Sequence, residues 1–235
     1  MNLSIKRSIS ILQKDYKDVS KNLYVSSSIF MPLILAALYG RMGVDSIDAH
    51  YMVINMALCL VAAFVQCSLI AEEKEKNTLR GLMLSPASTL DILVGKSLLS
   101  FISTIITIVI AAFLLEYRPE NLFIVSIAII LSTVFYIGLG TVLGLVTKSV
   151  MEASVLVMPF LLLFSFGTFL INLADKYPVL KVAEYLPNVQ IVDLANKVQL
   201  GSGLTDVWMN LLVIFAWVVA VFALVVVVYR KRMMD

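Results

Sequence analysis

The chain has 235 residues, of which 60% are hydrophobic and only 14% are charged, and its mean hydropathy is +0.96. This composition excludes an ordinary soluble domain and indicates an integral membrane protein. The formal net charge of +2 gives no indication of a nucleic-acid partner, and we expect none.

Residues 1–22 predict an amphipathic helix. Apolar residues recur there at spacings of four and three, and most of the Lys and Arg residues fall between them. The apolar stripe consists of Ile5, Ile9, Leu12, Tyr16 and Val19. Such a helix either lies in the membrane interface with its Lys side chains toward anionic headgroups, or packs against the protein itself or a partner. We favour the interface helix.

Six segments are long and apolar enough to cross a hydrocarbon core about 30 Å thick, which requires roughly 20 residues. They are residues 23–40, 51–71, 92–115, 122–147, 153–173 and 207–229. No secretory signal pattern precedes them, so we expect no cleaved leader. We predict an all-α integral membrane protein with a single domain, residues 1–235.

The basic residues predict the orientation of the chain. Six spans put both termini on one side, and that side carries 13 of the 18 Lys and Arg residues, counting Lys96 just inside the third span, against 5 on the other. Because the side richer in Lys and Arg is cytoplasmic, the termini and the loop 72–91 are predicted to be cytoplasmic. His50 is expected in the first external loop. No ionisable residue lies deep in a span, which argues against an ion-coupled transporter.

A few residues inside the spans predict contacts between helices. Gly140 and Gly144 match the small-xxx-small pattern that lets two helix backbones approach closely. Asn55 and Gln66, both in the second span, are interpreted as interhelical hydrogen-bond partners rather than as substrate ligands.

The loop 72–91 predicts a short cytoplasmic helix. We expect Glu72, Glu73 and Glu75 at its start, where acidic residues are favourable, and Glu72 has the i,i+4 spacing to pair with Lys76.

The second half of this loop indicates a protein partner. Leu79, Leu82 and Met83 give the predicted helix an exposed apolar face, and Pro86 ends it. Exposed apolar residues on an ordered helix favour a docking surface over a solvated loop.

The external loop 174–206 is long enough to contain a helix of its own. Asn188 is expected to cap this helix, and Gly201 to Gly203 to end it. The apolar face of the helix comprises Ile191, Leu194, Ala195 and Val198. The helix either roofs a pathway or lies on the outer leaflet.

The motifs argue against catalysis by the chain itself. The segment Gly144 to Ser149 resembles a phosphate-binding loop but lacks the Gly before Lys148, so we expect no bound ATP. Glu72-Glu73 resembles an intramembrane protease motif, but position 77 is Asn instead of Arg and His50 is predicted across the membrane. We expect no catalytic residue, no metal and no cofactor on this chain.

The loop 72–91 and the start of the third span resemble a segment of ABC-2 type permeases, the six-span membrane subunits of bacterial ABC exporters. Asn77 stands where that family usually has Gly. The agreement comprises Glu72, Glu73, Glu75, Thr78, Ser85, Pro86, Gly95 and Lys96.

The resemblance implies roles for several segments. Residues 1–22 would be the interface helix, 72–91 the loop with the coupling helix that docks on a separate ATPase subunit, and 174–206 an external helical hairpin before the last span. Lys148 and Glu152 would form a second, smaller cytoplasmic contact. The implied docking residues are Glu72, Glu73, Glu75, Thr78, Leu79, Leu82, Ser85 and Pro86.

The resemblance also implies an assembly in the bacterial cell membrane. Two ATPase subunits, which would bind ATP and Mg, are expected with two permease subunits, either copies of this chain or relatives. Spans without buried charge favour a lipophilic or amphipathic substrate, such as a membrane-active or toxin-like peptide, a drug or a lipid-like compound. The alternatives are a haem-exporter-type permease and a membrane scaffold or sensor with no transport role.

Overall fold

A computed structural model describes residues 5–76, 89–167, 171 and 177–233. These residues form eight α-helices and one 3-10 helix, Pro178–Tyr185, with no strand among them, which confirms the all-α prediction. The α-helices are α1 Ile5–Lys21, α2 Leu23–Met42, α3 Ile47–Glu75, α4 Thr89–Leu114, α5 Leu122–Val146, α6 Val150–Ser165, α7 Pro187–Gln199 and α8 Leu204–Met233.

Five helices, α2, α3, α4, α5 and α8, are long and apolar enough to cross a membrane, and α6 is an apolar helix of 16 residues. Each of the six predicted spans overlaps one of these helices. The predicted fifth span, 153–173, continues past α6 into residues that lie partly outside the described part of the chain.

Polar side chains set the starts of four helices. Asn22, Ser46, Asn121 and Ser149 each accept a hydrogen bond from the backbone N–H three residues further on, at 3.2 or 3.3 Å. Because Ser46 caps α3, this helix begins four residues before the predicted span. The prediction that His50 lies in an external loop is therefore wrong, since His50 is a buried residue near the start of α3.

Helix α3 is the centre of the bundle. Of the residues in the apolar stretch of α3, 89% are buried, whereas the corresponding shares are 17% in α2 and 22% in α8. A π-helical segment, Leu58–Phe64, interrupts its α-helical hydrogen bonding. The outer helices instead expose large apolar side chains, such as Phe30, Phe113 and Phe222, as expected of surfaces that face lipid. Most of the other helices pack on α3, so the residues at its two ends lie close to neighbouring helices.

The segment 174–206, predicted as an external loop, does contain a helix, α7. Its apolar face is confirmed, because Ile191, Leu194, Ala195 and Val198 are at most 1% exposed and α7 packs on α3, α5 and α8. The predicted cap by Asn188 is wrong. Pro187 occupies the first helical position, Leu186 is the cap residue with no side-chain bond, and Asn188 is buried. Gly201, with φ of +86°, follows the helix.

Candidate functional site

The last turn of α3 carries the acidic residues that the sequence indicated as functional. Glu72, Glu73 and Glu75 end this helix and do not begin a new one, so that part of the prediction is wrong. Glu73 and Glu75 have partners in other helices, which explains why they are tolerated at a helix C-terminus, where the dipole disfavours them. The predicted pair of Glu72 with Lys76 is confirmed, with the Glu72 Oε1 to Lys76 Nζ distance at 2.5 Å.

Lys74 connects this turn to the end of α5. Its Nζ donates hydrogen bonds to the carbonyl oxygen of Leu145, at 2.7 Å, and to that of Thr147. A helix C-terminus presents unsatisfied carbonyl groups and a partial negative charge, and a lysine ammonium satisfies both. The ends of α3 and α5 are thereby held together.

Glu75 connects the same turn to the start of α6. Its Oε2 accepts a hydrogen bond of 3.0 Å from the backbone N–H of Val150, the first residue of α6. Carboxylates are favourable at a helix N-terminus, where the first amide groups lack partners within the helix.

The structure therefore brings the first predicted contact region close to the second, which contains Lys148 and Glu152. Glu152 has a local structural role, since its Oε2 accepts a hydrogen bond of 2.7 Å from the backbone N–H of Lys148. With Ser149 as the cap residue, this resembles a capping box. Both Lys148 and Glu152 are exposed.

The other predicted docking residues lie outside the described part of the chain. They are Thr78, Leu79, Leu82, Ser85 and Pro86. Asn77 and Met83 also lie there.

A group of charges adjoins the last turn of α3, and we call it the charge cluster: the exposed Lys14 and the buried residues Asp15, Glu73 and Lys96. The Lys96 Nζ lies 3.2 Å from Glu73 Oε1 and 3.3 Å from Asp15 Oδ1. Lys14 forms an ion pair with Glu73 as well. Lys96 and Asp15 are each 1% exposed and Glu73 is 4% exposed, so charges of both signs are withdrawn from water together.

In the charge cluster, burial and the neighbouring opposite charges shift the pKa of a side chain in opposite directions. Burial raises the pKa of Asp15 above its ordinary value, although the charges of Lys96 and Lys14 partly oppose that effect. Burial lowers the pKa of Lys14, but the hydrogen bond to Glu73 and its charge outweigh burial, so the pKa rises overall. Lys14 therefore stays protonated at neutral pH.

One side of α1 packs against the protein. The side of α1 that is buried contains Ile11, Asp15 and Val19, whereas Ile9 and Tyr16 of the predicted stripe are exposed. Helix α1 packs mainly on α4, as in the alternative of a helix packed against the protein itself, and its location in the membrane interface stays a prediction. In the sequence, the buried side of α1 could have been recognised from Asp15, which is four residues after Ile11 and four before Val19.

The opposite end of the bundle is joined by amide side chains. Asn55 in α3 donates to the carbonyl oxygen of Asn188 at 3.4 Å, which confirms its interhelical role. Asn210 in α8 donates to the side chains of Gln190 and Asp193 in α7, at 2.8 Å each. A cavity of about 510 Å³ lies between the start of α3 and α7, with Asp48, Met52 and Asn196 in its lining.

No group of three or more His, Cys, Asp or Glu side chains is arranged to hold a metal ion among the residues that the structure describes. The two cysteines, Cys59 and Cys67, are buried and unpaired in α3.

A central buried helix, surrounding apolar helices and a charged end define the class: a multi-pass α-helical membrane protein. The family described as ABC-2 family transporter protein matches residues 2–227 of the chain. The chain thus belongs to the ABC-2 transporter family and is a transmembrane permease of an ABC transporter, a system with an ATPase partner. A comparison with curated proteins gives no match.

Proposed function

We propose that the chain is the permease subunit of an ATP-driven exporter, and that the end of the bundle formed by the last turn of α3 and the start of α6 is where the ATPase docks. ATP and Mg²⁺ are bound by the separate ATPase, and two ATPases act with two permease subunits. In this proposal the docking end faces the cytoplasm, in agreement with the excess of Lys and Arg predicted there.

The observation that carries this proposal is the hydrogen bond between Glu75 and the N–H of Val150. It joins two segments, 72–86 and 148–152, that the family resemblance implies as separate ATPase contacts. Because Lys74 also binds the end of α5, a force on the loop after α3 acts directly on α5 and α6.

A lipophilic or amphipathic substrate agrees with the character of the described helices. The cavity at the opposite end has both carboxylate and apolar lining residues, such as Asp48, Met52 and Val192. Such a lining suits a compound with one polar and one apolar part. Membrane-active peptides, drugs and lipid-like compounds are the classes to screen.

The first test is association with an ATPase. The chain is expressed with tagged ABC ATPase subunits from its own organism, and ATPase recovery and ATP hydrolysis are measured in lipid nanodiscs. The proposal expects at least one ATPase to co-purify with the unaltered chain. If none does, the proposed function is wrong.

The second test is the substitution Glu75→Ala. Losing the bond to Val150 should free the start of α6 from the last turn of α3, so that the two docking segments are no longer held together and ATPase recovery falls. If holding them together contributes about 1 kcal/mol, the scale of one hydrogen bond, the fall is about fivefold. Glu184→Ala is the matched control, because Glu184 is also exposed but lies in the 3-10 helix of the external loop. Equal recovery and hydrolysis with Glu75→Ala and the unaltered chain would refute the docking site.

A further inference from the structure

Lys96 is a buried cation between two elements that are distant in the sequence. It lies in the second turn of α4, and its Nζ contacts Asp15, which is 81 residues away in α1, and Glu73, which is 23 residues away in α3. All three side chains are at least nine-tenths buried. Lys96 is also part of the Gly95-Lys96 pair in the family resemblance, for which the docking site offers no role.

Three successive residues at the end of α3 contact four other helices. Glu73 binds Lys14 of α1 and Lys96 of α4, Lys74 binds the end of α5, and Glu75 binds the start of α6. A displacement of this turn would therefore act along two routes, on α1 and α4 through Glu73 and on α5 and α6 through Lys74 and Glu75. Lys96 belongs to the route toward α1 and α4, and Glu75 to the route toward α6.

Stability alone does not account for a buried cation at this position. A buried ion pair costs desolvation of both charges, and apolar residues of similar size are often as stabilising or more so. What charges add is selectivity, because an ammonium group between two carboxylates defines which side chains meet. Removing the ammonium would leave Asp15 buried without its partner, while Glu73 would keep Lys14.

We propose that Lys96 is a positioning residue that joins α1 and α4 to the last turn of α3, so that movement at the ATPase-docking end reaches α4. The second half of this statement rests on the proposed function. The first half, the joining of α1 and α4, does not depend on an ATPase.

The first experiment measures the joining in the chain alone. Spin labels are placed on Tyr16→Cys in α1 and Ile102→Cys in α4, both exposed positions, in nanodiscs of phosphatidylcholine and phosphatidylglycerol. The native cysteines are buried and should stay unlabelled. The distance between labels should be narrowly distributed, and Lys96→Met should widen that distribution about twofold because a buried tether is lost.

The matched control is Lys197→Met, which removes a half-exposed lysine paired with Asp193 at the opposite end. It should leave the distribution unchanged. Should Lys96→Met fail to insert, Asp15→Asn combined with Lys96→Met replaces it, since that variant leaves no unpaired buried carboxylate in the cluster. A narrow distribution in the folded variant would overturn the proposal.

The second experiment adds the ATPase and compares label mobility with and without ATP at two positions. One label is on Ile102→Cys and the other on Met151→Cys, an exposed residue of α6 that the Glu75 route serves. With Lys96→Met, the response to ATP should disappear at position 102 and persist at position 151. A purely structural defect would not separate the two positions.

Each outcome of the second experiment has one meaning. Responses retained at both positions, or lost at both, would overturn the selective role of Lys96. No response in the unaltered chain would count against the proposed function, whereas the joining of α1 and α4 would still be decided by the first experiment.

Discussion

Gln66 shows how a polar side chain is used inside a membrane helix. It is fully buried in α3; its Oε1 accepts a hydrogen bond of 2.8 Å from Ser100 in α4, and its Nε2 donates one of 3.1 Å to Thr141 in α5. This confirms the interhelical role predicted for Gln66. One amide thereby links three helices where water is absent, and an unsatisfied group there would be costly.

The substitution Gln66→Leu should lower the free energy of unfolding by about 1 kcal/mol, the scale of interhelical hydrogen bonds in membrane proteins. Thermal unfolding in nanodiscs measures the effect. Ser97→Ala is the control and should have a smaller effect, because the Ser97 hydroxyl lies 3.5 Å from Gln66 Nε2. A Gln66→Leu variant as stable as the unaltered chain would contradict the assignment.

At the scale of elements, the contact of α5 with α3 depends on glycine. A Cβ atom at Gly140 would lie 2.2 Å from the carbonyl oxygen of Ala63, and one at Gly144 would lie 2.8 Å from that of Cys67. The close helix approach predicted from these two glycines is confirmed. Ala63 belongs to the π-helical segment Leu58–Phe64, so Gly140 packs against that part of α3.

Gly140→Ala should destabilise the bundle by about 1–3 kcal/mol, because the obstructing atoms are backbone and a helix must shift to admit a methyl group. The measurement is the unfolding midpoint, together with the amount of inserted protein. Gly203→Ala is the matched control, since the nearest atom to a Cβ there is 3.9 Å away. Equal stability of the two variants would show that α3 and α5 do not pack so closely.

At the scale of the whole molecule, the two ends of the bundle differ in chemistry. One end contains the charge cluster and the ion pairs of the last turn of α3, and the other contains the amide contacts of α7. Helix α8 runs between α7 and the basic C-terminal residues, and its 30 residues span about 45 Å. This length is sufficient to place its two ends on opposite sides of a membrane.

The predicted orientation is tested with Leu200→Cys and Lys231→Cys, exposed positions just before α8 and near its end. A membrane-impermeant maleimide should label position 200 in intact cells, because the Lys and Arg distribution puts that end outside. Position 231 should react only after permeabilisation. The unaltered chain is the control, since both of its cysteines are buried. The reverse pattern would invert the topology.

Local patterns in the sequence were sufficient for much of the fold. Hydrophobic runs located the helices, and the apolar face of α7 and the glycines of α5 followed from residue spacing, since these features depend on neighbours within a few turns. They failed where a competing local signal decided. Ser46 caps α3 ahead of His50, and Pro187 begins α7, so the predicted cap residue Asn188 lies inside that helix.

The sequence by itself determined the class of the protein and its apolar helices, because composition and periodicity are properties of the chain. Only the tertiary structure decided which charges meet. Asp15, Glu73 and Lys96 are far apart in the sequence, and their contact depends on α1 packing beside α4. Hydrophobic periodicity does not encode that order of packing, so the sequence alone did not indicate that Asp15 lies on the buried side of α1.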